Sequence, residues 1–134
     1  MKLIVYAGQA DSLPASQDCE SIHYSEVQSS PDAVFDEVEV LDALEYAGYG
    51  LIEQICKKIR HGGRIRFVGT DAIEVVRAIN SGRANLPEAS SLLMSGRNQL
   101  TSVHDVKEIM ASLGLQIGLV GIMGNRYSVE GVRG

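Results

Sequence analysis

Residues 33–69 (AVFDEVEVLDALEYAGYGLIEQICKKIRHGGRIRFVG) constrain this chain more than any other stretch. Phe35, Val38, Val40 and Leu41 form one short apolar run, and Ile65, Phe67 and Val68 form a second. Both are too short for helices and rich in β-forming residues, so both read as strands. Between them Leu51, Ile52, Ile55, Cys56 and Ile59 recur on one helical face, while Glu53, Gln54, Lys57 and Lys58 occupy the other. His61, Gly62 and Gly63 are expected to stop that helix, because glycine adopts the left-handed geometry of a helix end. Strands joined through such a crossover pair in parallel with a right-handed connection, so the stretch predicts a βαβ unit of an α/β domain.

A chain of 134 residues is expected to form one domain, residues 1–134, with one sizeable core. Seventeen acidic against twelve basic residues give a net charge of -5, with no run of Lys or Arg. That balance argues against nucleic-acid and membrane partners; Lys57, Lys58, Arg60, Arg64 and Arg66 read as a solvated face. Cys19 and Cys56 are far apart and match no metal spacing, and His23, His61 and His104 are dispersed. The apolar run of MKLIVYAG is too short for a signal peptide or a membrane span, so a cytoplasmic location is the expectation.

Residues 3–7 read as a buried strand ending at Gly8. Residues 11–30 are polar, with one strand candidate at 21–24, extending at most to Val27. Twenty residues cannot hold two full parallel crossovers of at least about ten residues each. Asp71 suits a helix N-cap, with Glu74 three residues on; Ala72, Ile73, Val76 and Ile79 are the expected buried stripe, and Gly82 the stop. Residues 83–100 show no sustained period and read as a loop, either a lid over the strand ends or, slightly favoured, a contact for a second copy. Ser102 and Asp105 open another helix, with Val103, Val106, Ile109, Met110 and Leu113 facing inward and Gly114 ending it. Residues 115–122 and 126–132 read as closing strands of a hairpin turning at Gly124 and Asn125, which tolerate positive backbone angles.

FDEVEVLDALEY followed by IRHGGRIRF resembles the middle of class I S-adenosylmethionine-dependent methyltransferases, especially small ones of cell-surface sugar biosynthesis. Phe35, Asp36, Glu37, Val38, Leu44, Glu45, Gly62, Gly63 and Arg64 match that pattern, whereas Tyr46 stands where it has histidine and His61 where it has proline. SVHDVKEIMASLGLQIGLVG resembles the later helix and strand of the same family. The likeness spans about three quarters of the chain, from Ala33 onward. It implies a three-layer Rossmann-like methyltransferase fold, truncated in its N-terminal half, with a mostly parallel sheet and a C-terminal antiparallel hairpin.

The resemblance also implies a cofactor, S-adenosylmethionine, contacted by Ala7, Gly8 and Gln9 after the first strand, by Leu41 at the end of the central strand, and by Glu26 on the ribose. The family's glycine-rich loop is reduced here to Gly8 alone. Asp42, beyond the central strand, is the catalytic candidate, placed where methyl transfer to a small or carbohydrate-like acceptor would need a base. Glu45 and Tyr46 read as a solvated helix-start carboxylate and a packed aromatic. Two roles stay open, a minimal methyltransferase and a non-catalytic structural or regulatory module with a degenerate cofactor site, in either case a possible homo-oligomer.

Overall fold

The computed structural model describes residues 1–8 and 19–134. Its strands are β1 (Lys2–Tyr6), β2 (Cys19–His23), β3 (Phe35–Leu41), β4 (Ile59–Thr70), β5 (Leu115–Met123) and β6 (Arg126–Arg133). They form one sheet in the order β2-β1-β3-β4-β6-β5. β1 pairs in parallel with β2 and β3, and β3 with β4, while β6 runs antiparallel to both β4 and β5. The expected βαβ unit and closing hairpin are therefore present in a Rossmann-like α/β fold. Gly124, with φ of 62°, takes the left-handed position of the two-residue hairpin turn.

The helices are α1 (Leu44–Ala47), α2 (Gly50–Lys58), α3 (Ala72–Asn80), α4 (Leu86–Met94) and α5 (Val103–Ser112), and a 3-10 helix covers Tyr24–Ser29. Alternation along the strands puts Leu3, Val5, Val38, Val40, Ile65, Phe67, Tyr127 and Val129 on one face, all buried. Against them pack Val27 of the 3-10 helix, Leu44 of α1, Leu51, Ile52 and Ile55 of α2, and Val106 and Met110 of α5. Each such aliphatic or aromatic side chain gains about 1.5–3 kcal/mol by leaving water, which makes this face the core. The opposite face carries an ionic ladder: Glu39 takes Lys2 and Arg66, each at 2.9 Å. The helices that contribute to this core lie on the first face.

Several local expectations need correction. The helix of the βαβ unit ends at Lys58, not at the glycine pair, and Ile59 already pairs with Phe35. Its last carbonyls are satisfied from outside, where the N–H groups of Ala33 and Val34 donate to Lys57 and Lys58. His61, Gly62 and Gly63 lie inside β4, and the register shifts between Phe35 and Glu37. Gly63 has no room for a side chain there, since a Cβ would sit 2.9 Å from the carbonyl oxygens of both Arg60 and Asp36. Lys58 does not belong to a solvated face. It is 6% exposed, pairs with Asp32 at 2.7 Å and donates to the carbonyls of Ser30 and Gln28. Lys58 in turn holds the Asp32 carboxyl below its ordinary range. Arg60 and Arg66 are likewise paired, with Asp36 and Glu39.

Residues 83–100 contain a helix rather than a continuous loop. Asn85 caps α4 by accepting the Glu88 N–H at 2.9 Å while its side-chain amide donates to the Glu88 carboxylate, with Pro87 in the first turn. In α3 the buried residues are Ala72 and Val75, and Ile73 and Val76 of the expected stripe are about half exposed. The cause is position: α3 leaves the end of β4 and packs on α4, not on the core face of the sheet.

Candidate functional site

β1, β3 and β4 end side by side because all three run the same way, and a cleft of about 380 Å³ opens over their carboxyl ends. Its walls are Tyr6, Ala7 and Gly8 after β1, Leu41 and Asp42 at the end of β3, Thr70 at the end of β4, and Tyr46, Leu92, Arg97 and Arg126. Ligands of open α/β sheets bind at this end of the strands, where loops rather than side-chain layers meet the solvent. The volume lies within the range of small-molecule pockets, about 300–1,000 Å³.

Four of the six site residues expected from the sequence, Ala7, Gly8, Leu41 and Asp42, line this cleft together. Among the described residues, its chain neighbours aside, no atom lies within 4 Å of where a Cβ on Gly8 would stand. Gln9 falls outside the described residues. Glu26 is on the 3-10 helix beyond β2, exposed, and does not line the cleft.

Asp42 is the residue where β3 leaves the sheet. Its φ of 57° is left-handed, a conformation that aspartate tolerates better than most residues, and its N–H donates to the Val68 carbonyl at 2.9 Å. The carboxylate faces Arg126 at the start of β6. Oδ2 accepts from Nη2 at 3.1 Å, and Oδ1 lies 2.9 Å from Nη1 without hydrogen-bond alignment. This pairing holds the Arg126 guanidinium above its ordinary pKa.

Glu45, expected to be solvated, is 2% exposed. Its Oε1 accepts the Thr70 N–H at 2.6 Å and its Oε2 pairs with Arg97 at 2.5 Å. Its backbone carbonyl accepts the N–H groups of Asn98 and Gln99. Glu45 thus fastens the segment after α4 to the end of β4 and fixes one wall of the cleft. The Arg97 guanidinium also stands 5.5 Å from the centre of the Tyr46 ring, a cation–π contact. Tyr46 is the packed aromatic the sequence suggested, and it separates this cleft from a second one lined by Tyr24, Ser25, Gln28, Gly50, Gln54 and Asn98. The Tyr24 and Tyr46 rings are near parallel, 19° apart in plane with centroids 6.4 Å apart.

Arg97 and Arg126 are cleft residues that sequence reasoning missed. Their partners lie 52 and 84 residues away, and no local pattern marks such pairs. Leu92 reaches the cleft because α4 brings it there.

S-adenosylmethionine is the cofactor the resemblance implies, and the residues present fit it in part. Gly8 after the strand end and the aromatic Tyr46 in the wall are of a kind that suits a nucleoside, whereas Glu26, the expected ribose partner, stands elsewhere. Among the described residues no group of three or more His, Cys, Asp or Glu side chains is arranged to hold a metal ion.

No family model matches the chain, and no curated protein matches it in sequence. Solved structures do resemble it. An O-methyltransferase family protein from Burkholderia thailandensis superposes with a TM-score of 0.64 at 14% identity, over 98% of this chain and 50% of that one. An S-adenosylmethionine-dependent methyltransferase from Mesorhizobium loti gives 0.68 at 10% identity, over 98% and 90%. The putative methyltransferase of Haloferax volcanii, solved with its activator Trm112, gives 0.63 at 11% identity, over 98% and 81%. The chain spans half the length of the first of these and most of the other two. At such identities the likeness is one of fold: this chain has the Rossmann-like fold of S-adenosylmethionine-dependent methyltransferases.

Proposed function

We propose that this chain is a single methyltransferase-like domain that binds S-adenosylmethionine in the cleft over Gly8, Leu41 and Asp42 and serves methyl transfer to a small or carbohydrate-like acceptor. The observation that carries this reading is the position of the cleft, at the shared carboxyl ends of three parallel strands, with Gly8 in its lining. The fold neighbours are S-adenosylmethionine-dependent methyltransferases, and one of them, PigF, was solved with S-adenosylhomocysteine. The sugar-biosynthesis subfamily rests on the residue pattern of 33–69 alone.

When bound, the cofactor supplies an electrophilic methyl group on a sulfonium. In this chain Ala7, Gly8 and Leu41 would line its seat, with Tyr46, itself packed against Arg97 and Tyr24, in the same wall. Arg97 and Arg126, each neutralised by a carboxylate, present polar edges toward an acceptor. Asp42 has two uses here: to attract the sulfonium, or to take the acceptor's proton once its hold on Arg126 loosens. A negative net charge and the pairing of Lys58, Arg60 and Arg66 with carboxylates favour an uncharged small molecule over nucleic acid. Among the described residues no helix is long and apolar enough to cross a membrane, and a cytoplasmic setting belongs to the same proposal.

One observation favours the alternative of a binding module without turnover. Both carboxylate oxygens of Asp42 face Arg126, and among the described residues no other carboxylate lines the cleft. Calorimetric titration with S-adenosylmethionine and S-adenosylhomocysteine separates the readings. Binding is expected, and the absence of heat at high micromolar protein would eliminate the cofactor and with it the enzyme. If Asp42→Asn keeps the binding but abolishes methyl transfer to small hydroxylated acceptors, the residue is catalytic; unchanged transfer refutes that role.

A further inference from the structure

α4 is weakly anchored for a helix that reaches the cleft. Of its nine residues only Ala89 is buried, and Leu86 and Met94 are 69% and 72% exposed. α2, of the same length, buries Leu51, Ile52, Ile55 and Lys58. A helix this short does not hold itself together in water. It relies on the Asn85 cap and on α3, against which it packs.

On either side of α4 the chain is fixed. The N–H groups of Arg83 and Ala84 donate to the Ala78 carbonyl at 2.8 and 3.1 Å, and those of Asn98 and Gln99 donate to the Glu45 carbonyl at 2.8 and 3.0 Å. From Asn85 to Gly96, among the described residues, one hydrogen bond reaches beyond the segment: Arg97 Nη1 donates to the Ser91 carbonyl at 3.1 Å. Gly96, with φ of 71°, stands at the second boundary, where glycine accommodates a change of backbone angles at little steric cost. The segment nevertheless reaches the ligand end of the sheet. Leu92 lines the cleft, and so does Arg97, which holds Ser91 with one nitrogen and Glu45 with another.

We propose that α4 is a movable cover of the cleft: residues 85–96 swing between the fixed points at Ala84 and Arg97 and set Leu92 down on a bound ligand. A leucine that faces solvent gains little, whereas the same leucine against the apolar part of a ligand removes both surfaces from water. That difference between the two positions is what lets occupancy of the cleft bias the helix. Arg97 couples the same way, because it touches the cleft and α4 at once. Closure shields the ligand from water, and opening admits and releases it. Because the cover acts on what the cleft holds, this inference rests on the cofactor reading.

Hydrogen exchange of the full chain, with and without saturating S-adenosylhomocysteine, is the test, beside calorimetry that shows whether this probe binds. Without it, the amides of residues 90–94 should exchange through an opening much shallower than the unfolding that releases β4 and α5. With it, they should slow about tenfold or more. Leu92→Ala, which truncates a half-buried side chain, should leave the fold intact, diminish that slowing and weaken binding about tenfold. Binding heat with unchanged exchange at 90–94, amides there that exchange only on global unfolding, or a folded Leu92→Ala chain that binds and slows like the wild type would each overturn the cover while the cofactor reading stands. The absence of binding heat would overturn both. Should Leu92→Ala not fold, exchange in the wild type decides alone.

Discussion

Asp71 supports two helices at once, and removing it should be among the costliest single changes outside the core. Its side chain is buried beneath the junction of β4, α3 and α5. Oδ1 accepts from the N–H groups of Ile73 and Glu74 at 2.9 and 3.1 Å, and Oδ2 accepts from Val103 at 2.9 Å. Loss of the α3 cap should cost about 1 kcal/mol. The Val103 N–H, left without a partner in a part-buried place, adds about 1–3 kcal/mol. Asp71→Ala should therefore destabilise the fold by about 3 kcal/mol, a sizeable share of the 5–15 kcal/mol on which a domain subsists. In urea the midpoint should fall at constant m-value, and Tm should drop by roughly 10 °C. Asp71→Asn keeps one carbonyl oxygen, can serve only one of the two helices, and should recover about half the loss. A change of less than about 0.5 kcal/mol for Asp71→Ala, the range of an ordinary surface substitution, would refute the double-cap reasoning.

Other consequences follow from the buried polar groups near the cleft. Arg97→Met strands the Glu45 carboxylate in a 2% exposed site, at a cost of about 3–5 kcal/mol. It should also slacken the wall formed by residues 97–99, so a chain that remains folded should show weaker ligand binding as well as a lower urea midpoint. Tyr49 reports on alkaline stability. Burial pushes its hydroxyl up to about 12, whereas in the unfolded chain it titrates near about 10. The folded state therefore keeps the proton longer; this contribution is fully present below pH ~10 and is lost as pH rises toward ~12. Tyr49→Phe should give a shallower fall of urea midpoint over that window. At neutral pH it should be somewhat less stable, because the Ser102 N–H donates to the Tyr49 hydroxyl. Identical pH profiles for the two proteins would contradict the assignment.

Much of the fold was legible because its causes are local. Alternating Phe35, Val38 and Val40, the apolar stripe of α2 and the Gly124–Asn125 turn are short-range patterns, and they became the strands, helix and hairpin expected of them. α4 carried a local signal too, Asn85 with Glu88 around Pro87, which the absence of a longer apolar period obscured. The candidate site was half legible. Gly8, Leu41 and Asp42 follow strand ends, and strand ends can be read from sequence. Arg97 and Arg126 could not be found that way, because what makes them site residues is a partner 52 or 84 positions off.

By itself, then, the sequence determined the βαβ unit, the helix at 103–112 and the closing hairpin, and which way the parallel strands of that unit run, since periodicity, caps and crossover length act over a few residues. Only the tertiary structure decided that Lys58 and Glu45 are buried ions while Ile73 and Val76 face water. It alone revealed that Asp42 is held by Arg126 and that β5 lies at an edge with its apolar side chains uncovered. Burial and ion pairing depend on what the rest of the chain places opposite a residue, and no window of neighbouring residues contains that information.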